Sequence, residues 1–313
     1  MDVKSKRVLV TGASGFVGRP LIGALLRAGY QVRAAARRAV TFSAPVEIAM
    51  VPDFKQSVDW SAVLHDVDIV IHAAGLAHAD TEATPGADYN RINATATLEL
   101  ARAAKRADIE RFVFISSVRA QIGPSASFSV TETDDPRPTD HYGRSKLAAE
   151  RALSASGLPF TILRPAVIYG PQPKGNVKRL VQLAKLPLPL PFGGLQSRRS
   201  LLGIDNLIGA IFFVLQHETT IGETFLVADP KPLTLPDIFT LLRKALNRRP
   251  GLIDIPTGAI RMVLGLLGQT RLWDKVSEDL IVDVGKLESF GWRPTLETYA
   301  GFCAMLSATR DAH

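Results

Sequence analysis

The segment Thr11-Gly12-Ala13-Ser14-Gly15-Phe16-Val17-Gly18 most constrains what this chain can fold into. It joins a short apolar run, Val8-Leu9-Val10, to a stretch from Phe16 to Ala28 whose apolar residues recur at helical spacing and stop at Gly29. Three evenly spaced glycines permit a tight turn, close approach of backbone to a pyrophosphate, and close packing of helix on strand. The N-terminus of the helix that follows offers unpaired N–H groups and a positive dipole end to phosphate. A glycine triplet alone is a weak signal. Set between an N-terminal strand and an amphipathic helix, it predicts a dinucleotide site made by Gly12, Ser14, Gly15, Phe16, Val17 and Gly18.

Strand and helix signals then alternate. Strands are predicted at Gln31 to Ala36, Val46 to Val51, Asp68 to Ile71, Arg111 to Ile115 and Phe160 to Leu163. Helices are predicted from about Asp88 to Lys105 and from Ser145 to Ser154. Near-continuous apolar strands separated by helices indicate a parallel sheet covered on both faces, and right-handed crossovers make it an α/β doubly wound sheet of Rossmann type.

The pattern changes after Arg164. Pro165, Pro171, Pro173, Pro187, Pro189 and Pro191 mark an excursion holding one helix, Val177 to Lys185. Ile204 to Gln216 reads as an apolar helix and Thr224 to Val227 as a returning strand. From Thr234 onward the chain is mainly helical, broken at Pro250, Pro256 and Gly268. The expected division is a dinucleotide-binding domain of residues 1–164 plus about 201–229, and a smaller, mainly helical C-terminal substrate lobe of about 165–200 and 230–313.

With 313 residues, 46% hydrophobic and 21% charged, the composition excludes disordered, collagenous and disulfide-scaffold classes. The one cysteine, Cys303, cannot form an internal disulfide. The N-terminus lacks a signal-peptide core, and the apolar stretch from Ala259 to Leu267 is interrupted by Arg261 and far short of the roughly 20 residues of a membrane span. That stretch reads as a buried helix, and the protein as cytoplasmic with no membrane span. The net charge of +7 is spread in pairs such as Arg37-Arg38, Arg198-Arg199 and Arg248-Arg249 without interleaved aromatics, so no nucleic-acid partner is expected. Spacing suited to metal ligands is lacking, so no metal site is expected either.

Tyr142-Gly143-Arg144-Ser145-Lys146 places a tyrosine one helical turn before a lysine, on one face. A free phenol titrates near 10 (about) and is a poor base near neutrality. A neighbouring ammonium would favour the phenolate and make proton exchange with a substrate hydroxyl feasible. Ser117, just past the strand Arg111 to Ile115, stands where strand ends face the binding crevice and could hold the same substrate oxygen. After the second strand, Val32-Arg33-Ala34-Ala35-Ala36-Arg37-Arg38 contains no acid for ribose hydroxyls. Arg37 or Arg38 could pair with an extra phosphate, so NADP is favoured, with NAD possible.

Together these segments resemble the extended short-chain dehydrogenase/reductases, in the group of NAD(P)-dependent nucleotide-sugar epimerases, dehydratases and reductases. The likeness runs in order through T-G-A-S-G-F-V-G, H-A-A-G from His72, Asn93 in R-I-N-A-T, S-S-V from Ser116, and Y-G-R-S-K. It continues through L-R-P-A-V-I-Y-G-P from Leu163, R-S-L-L-G-I-D-N from Arg199, and Gly291-Trp292-Arg293-Pro294. The resemblance implies an enzyme with Ser117, Tyr142 and Lys146 as catalytic triad. It places Asp53 and Phe54 beside the adenine, and Ala73, Ala74, Gly75, Asn93, Ser116, Pro165 and Val167 along the cofactor. It implies Arg119, Asn176, Val177 and Arg199 as substrate contacts, with Arg271 a further phosphate contact. His72 reads as a packing residue at a strand end.

Related 4,6-dehydratases carry an Asp-Glu pair after the serine, where this chain has Val118 and Arg119, so that reaction is disfavoured. Two reactions at the sugar's 4-position remain, a 4-ketoreductase using NADPH and a 4-epimerase with retained NAD. The missing acid ranks the reductase first, in a surface-polysaccharide pathway, on a nucleotide-sugar or a lipid-diphosphate-linked sugar. A homodimer is implied by the resemblance. A non-catalytic NADP sensor is the alternative of a different class, and the intact serine, tyrosine and lysine argue against it.

Overall fold

The apolar runs become strands of one parallel sheet in a computed structural model, which describes residues 6–77, 84–266 and 277–310. In chain order the strands are β1 (Arg7–Thr11), β2 (Gln31–Ala36), β3 (Glu47–Met50), β4 (Ile69–His72), β5 (Arg111–Ile115), β6 (Ser129–Val130) and β7 (Phe160–Pro165). They continue as β8 (Val167–Tyr169), β9 (Arg198–Arg199), β10 (Leu201–Gly203), β11 (Thr224–Val227), β12 (Leu233–Thr234) and β13 (Ile281–Val282). Seven of them form the main sheet in the order β11-β7-β5-β4-β1-β2-β3. The chain winds outward from β1 to β3 and returns to start again at β4. Val10 of β1 therefore lies between Ala34 of β2 and Ile71 of β4, and the winding reverses between β1 and β4. In open α/β sheets that reversal opens a crevice at the carboxyl ends of the strands.

Side-chain alternation fixes which helices cover which face. Val8, Val10, Ile69, Ile71, Val113 and Leu163 pack with Leu21, Ile22 and Leu25 of α1 (Gly18–Arg27) and Leu207, Ile211 and Val214 of α7 (Ile204–Gln216). Leu9, Val70, Phe112, Phe114 and Ile162 face the other way, onto Leu100 and Ala104 of α3 (Ala96–Arg106) and Ala149 and Leu153 of α5 (His141–Ser154). A third core, around Tyr169, Phe239, Phe302 and Met305, joins β8 to α6 (Gly175–Ala184), α8 (Leu235–Ala245) and the helix Thr298–Arg310. This is the smaller, mainly helical lobe.

Three departures from the sequence expectations have local causes. The helix expected from Asp88 to Lys105 is α2 (Gly86–Tyr89) and α3 joined by a π-turn at Asn90–Thr95, which hydrophobic periodicity does not register. The helix expected to begin at Ser145 begins at His141, because Asp140 caps it by accepting from Gly143 N at 2.6 Å. The stretch Ala259 to Leu267 is not a buried helix. In α9 (Thr257–Leu266) Ile260 is buried, but Met262 is 63% and Leu266 81% exposed, and open space surrounds Gly258 and Gly265. Leu267 lies outside the described residues. No helix of the described residues is long and apolar enough to cross a membrane.

Candidate active site

The glycine loop is built by contact. Gly12 adopts φ +69°, and a Cβ there would stand 2.8 Å from the backbone of Ala73 and Ala74. A Cβ on Gly18 would stand 2.2 Å from Gly12 O, so any side chain at either place would push the loop off the sheet. No side chain caps α1; in its first turn Arg19 N donates to Gly15 O at 3.2 Å and Pro20 carries no N–H, so Gly18 N is the amide left to a ligand over the loop. Beneath it, Thr11 Oγ1 is hydrogen-bonded to His72 Nδ1 at 2.6 Å and His72 Nε2 to Thr97 Oγ1 at 2.9 Å. His72 is fully buried, and burial, with the Lys146 charge second, holds its pKa down to about 3. It is a neutral packing residue at the end of β4.

Ser117 follows β5 and caps α4 (Val118–Gln121), accepting from Arg119 N at 3.1 Å. Its hydroxyl is also hydrogen-bonded to the phenol of Tyr142, in the first turn of α5. Tyr142 itself is half-buried. Burial pushes its pKa up to about 12; the Ser117 hydrogen bond and Arg119 oppose this, while Asp140 and Tyr89 add to it. One turn further on, Lys146 is buried and donates to Ile115 O at 2.8 Å, its ammonium 4.5 Å from the Phe114 ring centre. Burial brings its pKa down to about 8, with Glu150 opposing. The ammonium is thus engaged by the end of β5.

The loop after β4 closes over Lys146. A Cβ on Gly75 would lie 3.1 Å from Asn93 Oδ1 and 3.4 Å from Lys146 Nζ. Asn93, at the π-turn, accepts from Leu76 N at 2.7 Å and donates to Ser145 Oγ at 2.9 Å, tying that loop to α5. The structure therefore brings together Gly75, Asn93, Ser117, Tyr142 and Lys146. Ser116 is adjacent, but its hydroxyl is committed to Glu150.

Other expected site residues are placed less directly. Arg37 is paired with Asp53 at 2.6 Å, while Arg38 and Ser14 are exposed. Asp53 is held below its usual pKa, first by the Lys55 amide and further by Arg37. Phe54 is buried, its ring edge-on to Trp60 and stacked on His72, so its ring is not open to a ligand. Ala73 and Ala74 back the glycine loop. Pro165 ends β7, Val167 is exposed on β8, Asn176 is exposed on α6, and Val177 is buried in the lobe core. Phe16 and Val17 lie in the loop before α1, half-buried. Arg119 pairs with Asp140. Arg199 donates to Pro124 O at 3.0 Å and Glu278 O at 3.1 Å, close enough to Arg119 to feel its charge, and its buried Nε has no partner. Arg271 lies outside the described residues.

Sequence reading missed the support under the triad. Glu150, one turn after Lys146, accepts from Ser116 Oγ and from Arg164 Nε at 3.0 Å, and Arg164 also donates to Gln121. Glu150 is 3% and Arg164 6% exposed. The helical spacing from Lys146 to Glu150 was the available signal. Tyr89 was also missed; its ring meets Tyr142 edge-on at 6.5 Å, and its buried hydroxyl has no partner.

Comparison with known proteins agrees with this geometry. A relative from Vibrio cholerae described as UDP-glucose 4-epimerase is 33% identical over 95% of this chain and 93% of its own. A relative from Escherichia coli O157:H7, described as N-acetyl-alpha-D-glucosaminyl-diphospho-ditrans,octacis-undecaprenol 4-epimerase, is 26% identical over 83% of this chain and 77% of its own. The solved UDP-glucuronic acid 4-epimerase from Bacillus cereus, in complex with UDP-glucuronic acid and NAD, superposes with TM-score 0.77 at 24% identity. That match covers 98% of this chain and all of the other. The model of the NAD dependent epimerase/dehydratase family matches residues 8–228, and the chain is an enzyme of that family.

Proposed function

We propose that the protein is a 4-epimerase of UDP-hexoses that retains NAD through its cycle. The observation that carries this is the hydrogen-bonded Ser117–Tyr142 pair beside buried Lys146, in a chain one-third identical to a UDP-glucose 4-epimerase along nearly its whole length. The residues present fit a dinucleotide, since Gly12 and Gly18, where a Cβ would strike the chain's own backbone, let the loop turn tightly against Ala73 and Ala74 before α1. When bound, the nicotinamide supplies a hydride acceptor and donor beside the sugar.

The chain's own residues handle position and protons. Tyr142 takes the proton of the sugar's 4-hydroxyl and returns it, while Ser117 hydrogen-bonds the same oxygen and holds it in register. Lys146 keeps a positive charge beneath the reacting oxygen, which favours the phenolate when Tyr142 must act as base. Gly12, Ser14, Gly15, Phe16, Val17, Gly18, Ala73, Ala74, Gly75, Asn93, Pro165 and Val167 hold the cofactor in this reading. Arg119, Asn176, Val177 and Arg199 take the diphosphate-sugar, Arg199 with one N–H still to satisfy. Residues 1–164 and about 201–229 form the cofactor side, and about 165–200 and 230–313 the substrate side, in a homodimer.

The reductase reading rested on the missing acid after β2, with Arg37 or Arg38 left to pair with an extra phosphate. Arg37 is paired with Asp53, and that carboxylate would meet an added phosphate with like charge. NAD is accordingly the cofactor proposed. A place in surface-polysaccharide synthesis belongs to the same proposal, supported by the relative whose substrate is an undecaprenyl-diphosphate sugar. Denaturing the purified protein and identifying released nucleotide by mass tests the reading. Close to one NAD per chain is expected; an empty site that prefers NADPH would restore the ketoreductase.

A further inference from the structure

We infer that the proline-rich tip of the substrate lobe docks on an anionic membrane surface. This goes beyond the proposed reaction and does not depend on it. The tip is two strapped loops, 185–191 and 247–253. Leu190 N donates to Gly251 O at 2.9 Å, and Ile253 N to Leu190 O at 2.9 Å. Arg243, only 4% exposed, fastens both loops from beneath, donating to the carbonyls of Leu186, Leu188, Pro250 and Gly251. Arg248 adds a bond to Lys185 O at 2.5 Å.

Two consequences follow. First, the backbone of the outer loop has few polar groups left to offer. Pro187, Pro189 and Pro191 carry no N–H, Leu186 N is used by Leu183 O, and the carbonyls of 185, 186, 188 and 190 all accept. Internal satisfaction of backbone groups is the condition for entering an apolar phase. Second, the side chains left outside are apolar. Leu186 is 42%, Leu188 63% and Ile253 49% exposed, in a frame that prolines and Arg243 hold rigid.

Charge selects the occupant. Residues 172–192 and 238–253 contain eight lysines and arginines and no acid, while Asp254 is the acid that follows. Lys185, Arg248 and Arg249 are exposed beside the three apolar side chains. Protruding apolar residues ringed by basic ones match the boundary between acyl chains and anionic headgroups. A protein partner of ordinary size would need a broader apolar patch than these three side chains offer.

The test is co-sedimentation of the full chain with vesicles of phosphatidylcholine and phosphatidylglycerol in equal parts, against phosphatidylcholine alone. Binding to the anionic vesicles is expected to weaken about tenfold or more in Leu188→Ser/Ile253→Ser and, separately, in Arg248→Ser/Arg249→Ser. High salt should reproduce the second loss. Circular dichroism and turnover of a soluble UDP-sugar should stay as in the unaltered protein, which separates this inference from the reaction assigned above. Absence of binding to anionic vesicles, or equal binding by the variants, would overturn it. So would conversion of a multimer to monomer by Leu188→Ser/Ile253→Ser with vesicle binding unchanged, which would give the tip to a second copy.

Discussion

Replacing His72 by glutamine should remove much of the protein's sensitivity to mild acid. In the folded chain burial keeps the imidazole neutral down to about pH 3, whereas in the unfolded chain it titrates at its ordinary 6.5. The folded pKa is depressed, so the unfolded state binds more protons between these values. Stability is full above 6.5 and falls as pH drops toward 3. At pH 5 the difference amounts to about 2 kcal/mol, rising to about 5 kcal/mol once both states are past their pKa. His72 has no exposed surface, so solvent offers no screening. Glutamine can keep one hydrogen bond toward Thr11 or Thr97 and does not titrate. Urea unfolding at about pH 7.5 and about pH 5 measures the effect in both proteins. The native chain should lose about 2 kcal/mol more than the variant across that interval. Equal losses would refute the claim that the imidazole is held neutral.

Tyr142→Phe should lower turnover by about 10²–10⁴ while cofactor binding by titration is little changed, since it removes the proton carrier and leaves the cradle intact. Glu150→Gln breaks a buried ion pair and should cost about 3 kcal/mol of stability in denaturant titration. The same change removes the charge that holds Lys146 up. The alkaline fall in turnover should therefore begin at lower pH than in the native enzyme, because Lys146 loses its proton earlier. Asp53→Ala frees the Arg37 guanidinium and should shift relative affinity several-fold, on the order of 1 kcal/mol, toward NADP, the pair being exposed and screened. Calorimetric titration with NAD and NADP reads that ratio directly.

The sheet was largely legible because its strands are short apolar runs punctuated by glycine-ended helices. β2, β5 and β11 fall where the patterning placed them, and the ends of β1, β3, β4 and β7 moved by a residue or two. Less could be read where structure depends on distant partners. β6 pairs with β13, and β9 with β12, across long stretches of chain that no local period encodes. The site shows the same division. The glycine loop and the Ser117, Tyr142, Lys146 spacing are local, and they could be read from neighbours in the chain. The pairing of Arg37 with Asp53 and the Glu150–Arg164 support are tertiary. That is why an arginine pair after β2 suggested a phosphate site whose first arginine is already neutralised. Helix α9 erred in the opposite sense. Its apolar sequence predicts burial, but among its described side chains only Ile260 is buried.

Incubating the purified protein with UDP-glucose and no added cofactor, and following the sugar's anomeric and H4 signals by proton NMR, tests the central claim most directly. A retained-cofactor 4-epimerase converts the substrate to its C4 epimer until the two reach equilibrium, and Tyr142→Phe does not. Native protein that leaves UDP-glucose unchanged, yet consumes NADPH on a 4-keto sugar, would contradict the account.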